Sequence, residues 1–308
     1  MKKTQFKGVI ILFITAFIWG SAFVAQSVGM DSVEAFTFNG IRTLMGAAVL
    51  LPIVAVRDFK GIKDLSSEER EKRKAKSRAE WKNGFLLGLT LCVASNLQQS
   101  AFNYSTPGKI AFITALYMLF VPLIGLFAGK KAPWLTWVCV AAGAVGLYFL
   151  SIPEGDFTGI NRGDLLSLLC AFFFAVQITL VDRYTENTDP VKLSFVQFLT
   201  AGSISCVLMF IFESPSVLAI NAAIIPLLYS GLLSCGIAYT FQVVGQKYTE
   251  PTLASLIMCM ESVFGVLSAA VILRQIPSGR EIIGCALMFA AIIAAQFSDR
   301  VKIPKKRD

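Results

Sequence analysis

The sequence predicts an all-α integral membrane protein of ten transmembrane helices, arranged as two inverted five-helix repeats. Three observations carry that expectation. The 308-residue chain is 55% hydrophobic and only 16% charged, with a mean hydropathy of +0.66, whereas soluble domains carry about 25% charged residues. Its apolar residues fall in runs of about 20, the length that crosses a hydrocarbon core about 30 Å thick. The two halves also match each other at nearly constant offsets.

The runs are Gly8 to Val28, Ala35 to Val56, Asn83 to Asn103, Pro107 to Ala128, Pro133 to Ile152, Gly163 to Val181, Val191 to Phe212, Asn221 to Val243, Pro251 to Leu273 and Arg280 to Ser298. The first, preceded by Lys2, Lys3 and Lys7, has features of a signal peptide, but it is longer than a signal core and is read as helix one. With the N-terminus in the cytoplasm, 23 Lys and Arg fall on the inside and four (Lys109, Arg162, Arg274, Arg280) outside. The positive-inside rule therefore expects both termini in the cytoplasm of an inner or plasma membrane protein. The charged stretch 57–82, with the pattern SSEERxKRKAKxRAEW, is read as a cytoplasmic loop whose helix lies along the membrane surface. Residues 299–308 form a basic tail.

Composition also excludes function classes. There is no histidine, which removes the commonest metal ligand and the usual neutral-pH proton shuttle. Each of the seven cysteines stands alone in an apolar run, without a CxxC pair. No HExxH, GxSxG or phosphate-cradling glycine loop occurs, so neither a metal nor a cofactor is expected. The net charge of +8 lies in segments between apolar runs, as anionic lipid requires, and nucleic-acid binding is not expected.

A shift of 144 residues lays Gln98 on Gln242, Tyr104 on Tyr248, Pro107 on Pro251, Tyr117 on Glu261 and Pro133 on Pro277. A shift of 155 lays Gly8 on Gly163, Ala16 and Phe17 on Ala171 and Phe172, and Arg42 on Gln197. The longer first loop explains the change of shift. Each half, 1–152 and 163–298, holds five spans, and an odd number inserts the second half upside down. Inverted repeats of this kind can expose a midplane site to either side in turn.

The segments WGSAFV (19–24), FNGIR (38–42), 97–125 and 235–267 resemble the drug/metabolite transporter superfamily, EamA-type permeases, over essentially the whole chain. The resemblance implies a central cavity lined by the first four helices of each half, with the fifth helices at the periphery, and an outward direction of transport. Three departures stand out. Met260, Glu261 and Ser262 replace an LEP triplet, so no proline break of helix nine is expected. Arg274 and Gln275 stand where an acidic residue and glycine are common, and the insertion 60–82 is long.

A charge at the centre of a span costs at least about 2.5 kcal/mol on insertion scales, and so marks a pathway or an interhelical tie. Arg42, Lys109 and Glu261 qualify. Arg42 suits an anionic ligand, Lys109 gating or attraction of an anion, and Glu261 a proton carrier, since burial favours the neutral carboxyl. Gln98, Gln99, Gln197 and Gln242 supply neutral polar groups, and Trp19 and Tyr117 apolar walls. The expected protein is a secondary transporter of small organic metabolites, amino acids or drug-like compounds among them, working by alternating access. It would be a monomer or homodimer whose partners are its substrate and the lipid bilayer. The alternative is a membrane-embedded enzyme acting on lipid-linked substrates, which would need clustered carboxylates or a histidine centre that the sequence lacks.

Overall fold

The computed structural model describes residues 3–59, 66–105, 107–130, 133–152, 161–186, 188–272 and 277–295. Among these there is no strand. The helices are α1 (Lys3–Met30), α2 (Ala35–Phe59), α3 (Ser67–Ala101), α4 (Pro107–Ala115), α5 (Tyr117–Phe127), α6 (Trp134–Ser151), α7 (Arg162–Thr185) and α8 (Pro190–Phe212). They continue with α9 (Val217–Ala222), α10 (Ile224–Leu228), a π-helical segment (Tyr229–Tyr239), α11 (Thr240–Gln246), α12 (Pro251–Met258), α13 (Met260–Ile272) and α14 (Gly279–Ala295). Seven stretches among the described residues are long and apolar enough to cross a membrane: 5–30, 35–59, 109–127, 162–185, 190–212, 224–246 and 251–268. A shorter apolar stretch, Trp134–Phe149, lies in α6.

The side chains are distributed for a hydrocarbon solvent. Phe17, Phe127, Ile211 and Ile225 face outward, while Thr15, Gln26, Asn39, Arg42, Gln177 and Glu261 are buried. The interior is still mainly apolar, but large apolar side chains exposed in this number and charges buried beside them are not the pattern of a water-soluble protein. Lipid gives apolar faces no reason to associate, so helix contact depends on close packing and interhelical hydrogen bonds. Glycines provide the approach: a Cβ on Gly84 or Gly88 of α3 would lie 2.5 Å from Val196 or Thr200 of α8.

Helix starts follow their sequences. Ser66 with Glu69, and Asn161 with Asp164, form capping boxes at α3 and α7. Asp189 accepts from the amides of Val191 and Lys192 to begin α8, with Pro190 in its first turn.

The helices associate in two bundles. α1 packs on α11, α12, α13 and the π-helical segment, which also receives α2; α3 packs on α7 and α8, and α4 and α5 pack on α7. The bundles meet most extensively along the α2–α8 seam and also where α11 packs on α7 and α8 and α12 on α5, and α6 pairs chiefly with α14.

Two expectations change, and one further irregularity appears. The charged stretch does not turn along a surface: 67–82 is the first half of α3, a continuous 35-residue helix, because no glycine or proline interrupts the run of helix formers from Ser67 to Asn83. Residues 57–59 belong to α2, and 60–65 lie outside the described residues. Helix nine does break without its proline, at Cys259, and helix four breaks at Leu116; both residues keep helical φ with ψ of −14° and −6°, one tightened turn each. Helix eight is π-helical through its centre, an irregularity its hydropathy does not announce. Arg274, Gln275, the end of helix ten and the tail 299–308 also lie outside the described residues.

Candidate functional site

A narrow cavity of about 30 Å³ lies between the two bundles. Its α1 and α2 wall carries Trp19, Phe23, Gln26 and Arg42. The Arg42 guanidinium is 3% exposed and is held by neutral groups: Nε donates to Asn39 Oδ1 at 3.0 Å and Nη1 to Gln26 Oε1 at 2.9 Å. Asn39 is itself fixed by donating to Ser95 Oγ at 2.9 Å and Asn96 Oδ1 at 2.8 Å. The guanidinium also lies over the Phe38 ring, 5.7 Å from its centroid. Among the described residues no ion pair involves Arg42 or Glu261. A buried cation surrounded only by dipoles retains a strong preference for an anion.

Glu261 enters from the first turn of α13, 5% exposed, and accepts a 3.4 Å hydrogen bond from the Tyr117 hydroxyl. The neighbouring Cys259 Sγ donates to the Ala115 carbonyl at 3.3 Å. The two helix breaks therefore face each other, and the carbonyl freed by one is taken up by the other. The π-helical segment brings Ser234 and Tyr239 to the cavity, with Tyr239 edge-on to Trp19 at 4.6 Å between centroids. Thr15 Oγ1 of α1 donates to the Ala238 carbonyl at 3.3 Å, occupying an acceptor of that irregular turn.

Amides form the remaining polar wall. Gln98 Nε2 donates to Thr114 Oγ1 at 3.4 Å. Gln242 Nε2 donates to Gln177 and Gln246, both at 3.0 Å, and Gln177 Nε2 donates to Gln197 Oε1 at 3.3 Å. Gln242 Oε1 and Trp19 Nε1 are buried without a protein partner among the described residues. They are the groups with hydrogen-bonding capacity to spare for a ligand.

Of the residues singled out in the sequence, Trp19, Arg42, Gln98, Tyr117, Gln242 and Glu261 line this cavity. Gln197 does not line it: it accepts from Gln177, which in turn accepts from the lining Gln242. Gln99 is buried elsewhere, with both amide atoms unpartnered among the described residues. Lys109 does not line the cavity: it pairs with Asp164 at 2.8 Å, a carboxylate brought by the start of α7 that no inspection of helix four reveals. Gln26, Thr114, Phe174, Ile178, Ser234 and Met258 were missed as lining residues. Five pairs of lining residues nevertheless obey the repeat offsets: Trp19 with Phe174 and Phe23 with Ile178 at 155; Gln98 with Gln242, Thr114 with Met258 and Tyr117 with Glu261 at 144.

Similarity to known proteins agrees with this architecture. The EamA-like transporter family matches residues 6–152 and, again, 161–295. The chain belongs to the EamA-like transporter family. An uncharacterized transporter of Archaeoglobus fulgidus is 27% identical over 283 residues, covering 92% of this chain and 83% of that protein. The uncharacterized transporter YoaV of Bacillus subtilis is 22% identical, covering 72% of this chain and 73% of YoaV. The uncharacterized inner membrane transporter YedA of Escherichia coli K12 is 25% identical, covering 62% of this chain and 58% of YedA. A crystal structure with 19% identity superposes with a TM-score of 0.77 over 96% of this chain and 99% of its own, a likeness of fold. This EamA-like chain is a multi-pass membrane transporter.

Proposed function

We propose that the protein is a secondary transporter of small organic metabolites, working by alternating access at the cavity between the bundles. Its ten crossings form two inverted five-helix repeats, 1–152 and 163–298, with both termini in the cytoplasm. The apolar second half of α3, α6 and α14 supply the crossings beyond the seven long apolar stretches. The observation that carries the reading is the cavity wall, built from five residue pairs at the repeat offsets. Residues from equivalent positions converge on one site only when it lies near the axis relating the halves, and that is where an alternating-access site belongs.

Other observations support it. One family matches each half separately. Exchanging the halves carries the packing of α3 on α7 into that of the π-helical segment on α1, and the packing of α3 on α8 into that of the same segment on α2. Within the cavity, Arg42 receives an anionic group of the substrate, and Glu261 takes up and releases the proton that couples transport. Purified protein in proteoliposomes, loaded with a metabolite mixture and given a pH gradient, tests the proposal. Saturable, gradient-dependent flux of an organic solute is the expected result. Turnover of a lipid-linked compound without flux would overturn it.

A further inference from the structure

The α2–α8 seam is fastened at both ends, and the fasteners occupy equivalent positions. At one end, Asp58 of α2 accepts from Lys192 Nζ of α8 at 3.0 Å and 2.8 Å. At the other, the carboxylate of Glu213, at the end of α8, accepts from the amides of Phe36 and Thr37 and from Thr37 Oγ1, each at 2.7 Å. The second contact is an N-cap supplied by a different helix, satisfying free amides of the first turn of α2 with a charge its dipole favours. The offset of 155 carries Asp58 to Glu213 and Thr37 to Lys192. One repeat-related pair of positions thus clasps the seam at each face.

We infer that these clasps are the two gates of the transporter, and that each must open for the cavity to reach its own face. This rests on the alternating-access reading above. The seam is where the bundles meet most extensively, since α2 packs on the π-helical segment in one bundle and α8 packs on α3 in the other. Rocking the bundles apart at one face therefore separates α2 from α8 there, while the opposite clasp stays shut. With both engaged, the cavity is narrow, as observed.

The surroundings make release affordable. Lys192 is buried, and with no carboxylate beside it its charge would be left unpaired. It has a second one: Glu80 of α3 lies 3.4 Å from Lys192 Nζ, and Ser77 Oγ accepts from it at 3.0 Å. Both belong to the bundle of α8, so Lys192 keeps them when Asp58, itself 46% exposed, leaves for water. Glu213 is half-buried and likewise has solvent within reach. The flanking Arg57–Asp189 pair, 2.8 Å long but 53% and 32% exposed, adds little to the first clasp.

The test needs no substrate. Ser234, which lines the cavity, is replaced by cysteine as a reporter, and its labelling by an impermeant maleimide is measured from each face of oriented vesicles against the Ser234 parent as background. Asp58→Asn should raise labelling from the face carrying Asp58 about tenfold, and Glu213→Gln should do so from the opposite face only, the population shift expected on losing a charge-assisted hydrogen bond. Thr37→Val, which removes one of three bonds, should act as Glu213→Gln does but more weakly. Lys72→Gln, on the exposed flank of α3, should change neither. If Glu213→Gln fails to fold, a reducible cross-link between cysteines at positions 37 and 213 decides: it should abolish labelling from its own face and leave the other open. Folded variants that label as the parent does, or at the same face as each other, would overturn the clasps, as would labelling through a locked face. Sided labelling without solute flux would overturn the transport reading alone, and flux without sided labelling the clasps alone.

Discussion

Arg42 and Glu261 were legible because a charge inside an apolar run is conspicuous, and their burial is costly enough to require a purpose. Their surroundings separate the roles proposed for them. Glu261→Gln keeps shape and hydrogen bonding but fixes the neutral state, so concentrative transport and its pH dependence should vanish while substrate exchange across the membrane persists. Counterflow and gradient-driven uptake, compared in the same vesicles, read the difference. Arg42→Gln imitates its repeat partner Gln197 and should weaken anionic ligands by about 10- to 100-fold, the worth of hydrogen bonds to a charge, with neutral ligands little changed. Lys109 is different, because the sequence displays the charge and conceals its partner. Lys109→Met leaves Asp164, 8% exposed at its side chain, without its cation and should destabilise the protein by about 3–5 kcal/mol. Adding Asp164→Asn, which removes the charge but keeps an acceptor for the Asn161 amide, should recover much of that in thermal unfolding, and neither change should alter substrate KM.

At the scale of elements, hydropathy located the apolar runs but not their irregularities. The break at Cys259 has no proline; it is sustained by contact with the opposite break, through the bond from Cys259 to the Ala115 carbonyl. Such a partner lies 144 residues away and leaves no local signal. Close packing is similarly hidden: a Cβ on Gly20 of α1 would collide with the Glu261 carbonyl and lie 2.8 Å from Gly265 N. Gly20→Ala should therefore cost about 1–3 kcal/mol, through overpacking against backbone that cannot rotate away. Because it displaces the turn holding Glu261, it should also depress transport. Thermal unfolding in detergent and vesicle flux measure the two effects separately.

For the whole molecule, the distribution of Lys and Arg predicts an orientation with both termini in the cytoplasm. The stretch 67–82 extends α3 away from its apolar half and should lie in the cytoplasm. A cysteine at Ala75, exposed on that extension, should react with an impermeant reagent only in inside-out vesicles. Labelling in right-side-out cells would reverse the topology.

The sequence by itself determined the solvent, the all-helical class, the two matching halves and the charges that belong inside, because each is written in composition or in periodicity along the chain. Tertiary structure decided which of those polar residues share a cavity, since Arg42 and Glu261 stand more than 200 positions apart. It also decided that Lys109 is paired, that two unprolined turns break opposite each other, and that Asp58 and Glu213 close the two ends of one seam. These are properties of contacts between helices, and in a bilayer such contacts depend on shape and hydrogen-bond partners rather than on hydrophobicity. Hydropathy therefore finds the helices, and only their packing assigns each buried charge its partner.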